Sequence, residues 1–322
     1  MLRMLFAASV AITSLIAGIV PAGAQTYPDR PIKFVVPFAA GSATDTLARV
    51  LGEHASKAHG WSVVVENMVG ASGAIAARGV ARAAADGYTV FIATNTTHAA
   101  NQSLLKQMGY DAVADFEPIT KLGTITLALI AHPSVPAKNV QGLIAHAKAN
   151  PGKLTFGSGS SSSRIAGEML KTLGGIDIVH VAYRSNPQAI QDLIGGHISL
   201  VFADVSTTLP QVRAGTANGF AVSSLQRSRL APDLPTMVEA GVQGYDLTAW
   251  FAAFVPAKTP KPIVEKLRAT FIAALSDAPT QDKLLTAGVE AETSTPEELG
   301  AFVVSETKKW AEIVKAAGIQ AE

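Results

Sequence analysis

The chain has 322 residues, with 26 Lys and Arg against 25 Asp and Glu, 48% hydrophobic and 16% charged side chains, and no cysteine. That length suits about two domains, and the apolar content excludes disorder, collagen-like repeats and coiled coil. A formal charge of +1 lacks the basic footprint of a nucleic-acid binder, and the absent cysteines exclude disulfide staples, thiolate zinc sites and cysteine nucleophiles.

Residues 1–24 read as an export signal. Arg3 supplies the positive start, 5–20 is an uncharged apolar run, and Ala22-Gly23-Ala24 has the small-x-small form of a cleavage site. The run is short for a membrane span, which needs about 20 residues, and no later stretch is longer than strand size. The expected product is soluble and exported, periplasmic in a bacterium, with no lipobox cysteine to tether it.

From there strand and helix alternate. Strands are predicted over 32–36, 62–66 and 88–93, with a helix carrying Leu47, Val50, Leu51 and His54 on one face and an Ala-rich helix over 74–85 between them. The 121–131 stretch is long for one strand. Further strands follow at 154–156, 178–181, 198–202 and 220–223, separated by helices over 166–173, 187–194 and 209–214. A second long strand is predicted at 247–255, and the helices over 262–276 and 296–316 each start with Pro near the first turn. This alternation predicts an α/β fold of βαβ units with parallel sheets. If the two long strands cross between lobes, residues 25–126 and 249–322 form one lobe and 127–248 the other.

Four strand-to-helix loops carry candidate binding residues. In an open parallel sheet such loops stand at the carboxyl strand ends, where ligands sit. The first holds Phe38, Ala39, Ala40, Gly41, Ser42, Thr44 and Asp45. Its glycine permits close backbone approach, its hydroxyls donate, and the helix start attracts an anion. The same residues also suit an ordinary turn, with Ser42 or Thr44 as N-cap and Asp45 set against the helix dipole. The second loop runs Gly157-Ser158-Gly159-Ser160-Ser161-Ser162-Ser163-Arg164, and Arg164 is able to hold a carboxylate by two bonds. Its strand and helix flanks argue against a linker. The third contains Tyr183, Arg184 and Pro187, the fourth Asp204 and Val205. Together they predict a cleft for a carboxylate.

Catalytic signals are missing: the sequence has no Gly-x-Ser-x-Gly elbow, no P-loop and no His-Glu-x-x-His. Ser162 stands where the dinucleotide fingerprint needs its third glycine. No enzyme activity, cofactor or metal is expected.

One family matches this arrangement. Val36-Pro37-Phe38-Ala39-Ala40-Gly41 followed by Asp45, Val65-Glu66-Asn67-Met68-Val69-Gly70-Ala71-Ser72-Gly73, Asp86-Gly87-Tyr88-Thr89 and Tyr110-Asp111 stand in order. Phe116-Glu117-Pro118, Ala166-Gly167-Glu168, Gly195-Gly196, Leu234-Pro235-Thr236 and Glu239-Ala240-Gly241 follow. With these marks the chain, from Tyr27 to its C-terminus, resembles the substrate-binding proteins of tripartite tricarboxylate transporters (the Bug receptors, TctC-like).

The resemblance implies a two-lobed periplasmic binding protein of type II. It would close over a di-, tri- or aromatic carboxylate and deliver it to membrane subunits, as a monomer. It also implies that the first, Gly/Ser and Tyr183 loops frame the cleft, with Asp45 capping its helix or holding a water, and Phe38 and Tyr183 shielding the ligand. A receptor presenting its ligand to a membrane sensor kinase uses the same cleft. Ala40 and Ser42 depart from the family's Gly- or Pro-richer loop, Arg164 replaces a frequent His, and Tyr183-Arg184-Ser185 replaces Tyr-Lys-Gly. The two arginines either add guanidinium groups to the cleft or point to solvent.

Overall fold

The computed structural model describes residues 27–316 and 318–321, so the export segment assigned to 1–24 lies outside the described residues. In chain order the elements are β1 (Ile32–Val36), α1 (Ala43–His59), β2 (Val63–Asn67), α2 (Ala74–Ala81) and β3 (Thr89–Thr94). A π-helical turn, Thr96–Ala100, then runs into α3 (Asn101–Leu104) and β4 (Phe116–Ala131). Next come α4 (Val140–Ala149), β5 (Thr155–Ser158), α5 (Ser161–Gly174), β6 (Val179–Ala182), α6 (Asn186–Ile194), β7 (Leu200–Asp204), α7 (Val205–Arg213) and β8 (Asn218–Val222). The chain finishes with β9 (Thr248–Pro256), α8 (Lys261–Ser276), α9 (Ala278–Thr286), β10 (Val289–Ala291) and α10 (Pro296–Ala316).

The strands form one curled sheet in the order β2-β1-β3-β9-β4-β7-β5-β6, with β8 and β10 also paired to β4. β1 runs parallel to β2 and β3, and β5 runs parallel to β6 and β7, while β9 and β4 are antiparallel insertions between these sets. β4 changes partners along its length: 116–126 pairs with β9, and 127–131 pairs with β7.

The strands are apolar on both faces because helices cover both. Ile32, Phe34 and Val36 of β1 pack with Leu47 and Leu51 of α1 and with Leu267 and Phe271 of α8. Val35, one residue out of phase, joins Phe91, Ala77 and Val80 on the opposite face.

Several expected boundaries move for identifiable reasons. β4 starts at Phe116 instead of 121, because register shifts at Pro118/Thr120 and Lys121/Gly123 let the strand run through the proline and the glycine. Gly123 has φ +149, and a Cβ there would stand 2.4 Å from the Glu290 carbonyl oxygen, so the close pairing with β10 needs glycine. α2 ends at Ala81, where a tight Ala83-to-Val80 bond closes the last turn, instead of at 85. β2 lies one residue later than the predicted 62–66. α5 begins inside the serine run and α7 begins at Val205, both earlier than their apolar periodicity shows. The π turn with α3, and α4, α9 and β10, are further elements beyond the predicted set.

Candidate functional site

Four α-helices and the π turn begin at one cavity. Their preceding residues, Ser42 (α1), Asn95 (π turn), Ser160 (α5), Ser185 (α6) and Asp204 (α7), all line it. The wall is completed by Phe38, Thr44, Thr94, Thr96, Gly159, Ser162, Asn186, Ala249 and Phe251 around about 370 Å³ of space between atoms, its mouth included. Each element follows the end of β1, β3, β5, β6 or β7, so the sheet aims these helix starts at one point. Unpaired N–H groups and aligned peptide dipoles make that point attractive to an anion.

The β1–α1 loop is held from behind. Asp45 is buried, and its carboxylate accepts from the Gly41 N–H at 3.0 Å, Arg49 Nε at 3.0 Å and Asn67 Nδ2 at 2.9 Å. Asn67 Nδ2 also donates to the Phe38 carbonyl at 2.9 Å, and Gly41 turns with φ +81. Burial alone raises the Asp45 carboxyl, but the Arg49, Asn67 and Gly41 donors outweigh it and hold the group below the ordinary carboxylate range. Ser42, not Asp45, is the N-cap, accepting from the Asp45 N–H at 3.3 Å.

On the facing side, Ser160 caps α5 by accepting from Ser163 N–H at 3.2 Å. Asn186 Oδ1 accepts from Gly159 N–H at 2.8 Å. A Cβ on Gly159 would stand 1.9 Å from the Ser185 carbonyl carbon, so only glycine lets these two loops meet. Ser185 and Asp204 do not cap their own helices. Ser185 reaches across instead, its hydroxyl accepting from Ala39 N–H at 3.4 Å, while the Asp204 carboxyl faces the Ala43 backbone at the start of α1. Asn95 Nδ2 donates to Ser162 Oγ at 2.8 Å, and Ser161 Oγ to Asn101 Oδ1 at 3.2 Å, adding two more bonds between the facing loops. Burial pushes the Asp204 carboxyl up to about 6 against the opposing pull of the Ala43 N–H.

Of the residues expected from sequence, Phe38, Ser42, Thr44, Ser160, Ser162 and Asp204 line the cavity. Ala39 touches it through its bond to Ser185, while Ala40 and Gly41 stand exposed on the outer turn and Asp45 lies behind. Ser158, Ser161, Arg164 and Tyr183 line an adjoining pocket with Ser72, Leu104, Leu105, His180 and Ala182. Tyr183 donates its hydroxyl to Asp192 at 2.7 Å, so its ring belongs to that pocket and does not shield the main cavity. Ser163 is buried with its hydroxyl on the Phe202 carbonyl. Pro187 occupies the first turn of α6, and Val205 packs with Ala128 and Val222.

Neither arginine lines the main cavity. Arg184 is exposed. Arg164 sits two residues after Ser162 on α5, roughly 200° around the helix, which turns it to the adjoining pocket. The sequence reading missed Thr94, Asn95, Thr96, Ala249 and Phe251, while Gly159, Ser185 and Asn186 lie within the second and third candidate loops without having been singled out. A usable signal existed for the first three: Thr94-Asn95-Thr96 is another run of small polar residues directly after an apolar strand. Among the described residues no group of three His, Asp or Glu stands together to hold a metal ion.

The cavity is therefore lined by hydroxyls, amides and backbone donors, with one carboxyl, two phenylalanine rings and no cationic side chain. Such a lining binds an anion by hydrogen bonds and dipoles. Residues 47–319 match the family described as tripartite tricarboxylate transporter family receptor. Protein BugT of Bordetella pertussis is 31% identical over 301 residues, covering 92% of each chain. R. palustris Rpa4515, solved with adipate, is 34% identical with a TM-score of 0.89, covering 92% of this chain and 100% of that one. MatC of Rhodopseudomonas palustris, solved with bound malate, is 30% identical with a TM-score of 0.84, covering 89% of this chain and 100% of that one.

Proposed function

The chain belongs to the tripartite tricarboxylate transporter receptor family, periplasmic solute-binding proteins and not enzymes, and from that premise we propose that it captures a small carboxylate in the cavity described above and hands it to the membrane subunits of such a transporter. Its fold is that of type II periplasmic binding proteins. The convergence of helix N-termini at one polar cavity carries this reading. The two relatives solved with adipate and malate point to a dicarboxylate as the ligand class. Residues 25–126 with 249–322 make one lobe and 127–248 the other, a division supported by the change of partners in β4 between Thr126 and Leu127. A ligand that bonds to loops of both lobes does so only when they are closed, so its binding shifts the population toward closure. The work is done in the periplasm after export by the N-terminal segment.

A thermal-shift panel of malate, succinate, adipate, citrate and benzoate, with glucose and chloride as controls, tests this. Binding to the native state raises the melting temperature by mass action. At least one carboxylate is expected to raise it by several degrees at millimolar concentration, with no shift from the controls. A panel in which every carboxylate leaves the transition unmoved contradicts the proposal.

A further inference from the structure

Asp204 is the one charged side chain among the cavity-lining residues, and it stands where the proposed ligand would bind. Its carboxyl shares the cavity wall with Ser42 and Thr44, at the same helix start that recommends the site for an anion. Its backbone is fixed beside the cavity: β7 pairs Asp204 with Leu127 of β4, the hydroxyls of Thr207 and Thr208 bond its main-chain carbonyl at 2.9 and 3.2 Å, and Val205 is buried.

Among the described residues that line the cavity there is no cation to neutralise a second anion, and Arg164 of α5 lines the adjoining pocket instead. The rest of the wall is Ser, Thr, Asn, Gly, Ala and Phe. On α1, Asp45 turns its carboxylate toward Gly41, Arg49 and Asn67. On α7, Arg213 is at the far end of the helix. From the loop before β10, Gly288 touches Ser206, while Glu290, Asp246, Arg227 and Arg229 line a separate groove beyond it. Two carboxylates confined together with only neutral donors between them do not both stay ionised; one pKa of the pair rises strongly.

From this juxtaposition we propose that Asp204 and the captured carboxylate share one proton, so that binding takes up a proton from solution and Asp204 sets the pH range of capture. The proposal rests on the carboxylate-receptor reading above. Burial has already pushed the Asp204 carboxyl toward the range where it gains that proton readily. The proton bridges the two carboxyls: Asp204 donates O–H to the ligand oxygen, and the ligand keeps its bonds to the serine and backbone donors. Between pH 7 and 9 the ligand and Asp204 are both ionised before they meet, so each binding event carries about one proton into the complex and affinity falls about tenfold per pH unit.

Titration calorimetry with malate and with adipate, at pH 8 in buffers of differing ionisation enthalpy, reads this directly. The wild type is expected to take up about one proton per ligand. Asp204→Asn keeps the shape of the side chain and supplies a permanent donor, so it is expected to take up none and to bind with an affinity flat from pH 7 to 9. Asp204→Ser is a second variant should the asparagine fail to fold, with melting curves checking both. Wild-type binding without proton uptake, or uptake that persists in both variants, overturns the assignment while leaving the receptor reading intact. If no carboxylate of the thermal-shift panel binds, the receptor reading fails first and takes this proposal with it.

Discussion

Asp45 shows how one buried acid shapes a loop without touching a ligand. Its three donors fix the peptide at Gly41 and, through Asn67, the Phe38 carbonyl, which sets the direction of the whole β1–α1 turn. The folded-state pKa is depressed, so the group contributes stability that is present above the unfolded value and is lost as pH falls through the folded one. Asp45→Asn is therefore expected to lower stability by about 1–3 kcal/mol at neutral pH, from the lost charged acceptor. The deficit should shrink as pH drops below about 4, the ordinary carboxyl range. Urea denaturation of both proteins at pH 7 and pH 3.5 measures it. A deficit equal at the two pH values would mean that the charge of Asp45 plays no part. The position was legible in the sequence as an acid in a helix's first turn; its partner Asn67, 22 residues away, was not, because a side-chain bond between two parallel strands' loops leaves no local spacing to read.

At the scale of elements, what the sequence disclosed depended on how the element is stabilised. Strands buried on both faces announced themselves as apolar runs, and most helices with a continuous apolar face were visible, although α4, which buries Val140, Leu143, Ile144 and Ala147, was not. The π turn at 96–100 was not: Thr96, Thr97 and His98 are poor helix formers, and the turn exists because its side chains are buried among Phe91, Phe116 and Phe254. The serine run read as a loop although its last three serines are the first turn of α5. A cap from Ser160 and burial of Ser161, Ser162 and Ser163 decide it, and neither leaves an apolar period. The β5–α5 and β6–α6 loops interlock at Gly159, whose position against Ser185 leaves no room for a methyl group. Gly159→Ala is expected to force these loops apart, lowering the melting temperature by several degrees and weakening carboxylate binding at least tenfold. Calorimetry on the purified variant checks both, and a variant with wild-type melting and affinity would show that the contact is not needed.

For the whole molecule, the fold explains why a cavity without a single arginine or lysine suits an anion. A sheet whose parallel strands end in the same region directs successive helix starts to one place, so the attraction comes from backbone donors arranged by topology. The general plan, α/β halves and loops at the carboxyl strand ends, was readable from the alternation of elements. The assignment of guanidinium groups to the cleft was not readable, because Arg164 and Arg184 are adjacent to cavity residues in sequence and turned from them by helix geometry and exposure. The most direct test is a crystal structure with the strongest carboxylate from the panel. It should show one carboxylate within hydrogen-bond distance of Ser42 or Thr44 on one side and of Ser160, Ser185 or Asn186 on the other. An acid found only outside this cavity, or held there by a Lys or Arg side chain with the helix N-termini turned away, would contradict the account.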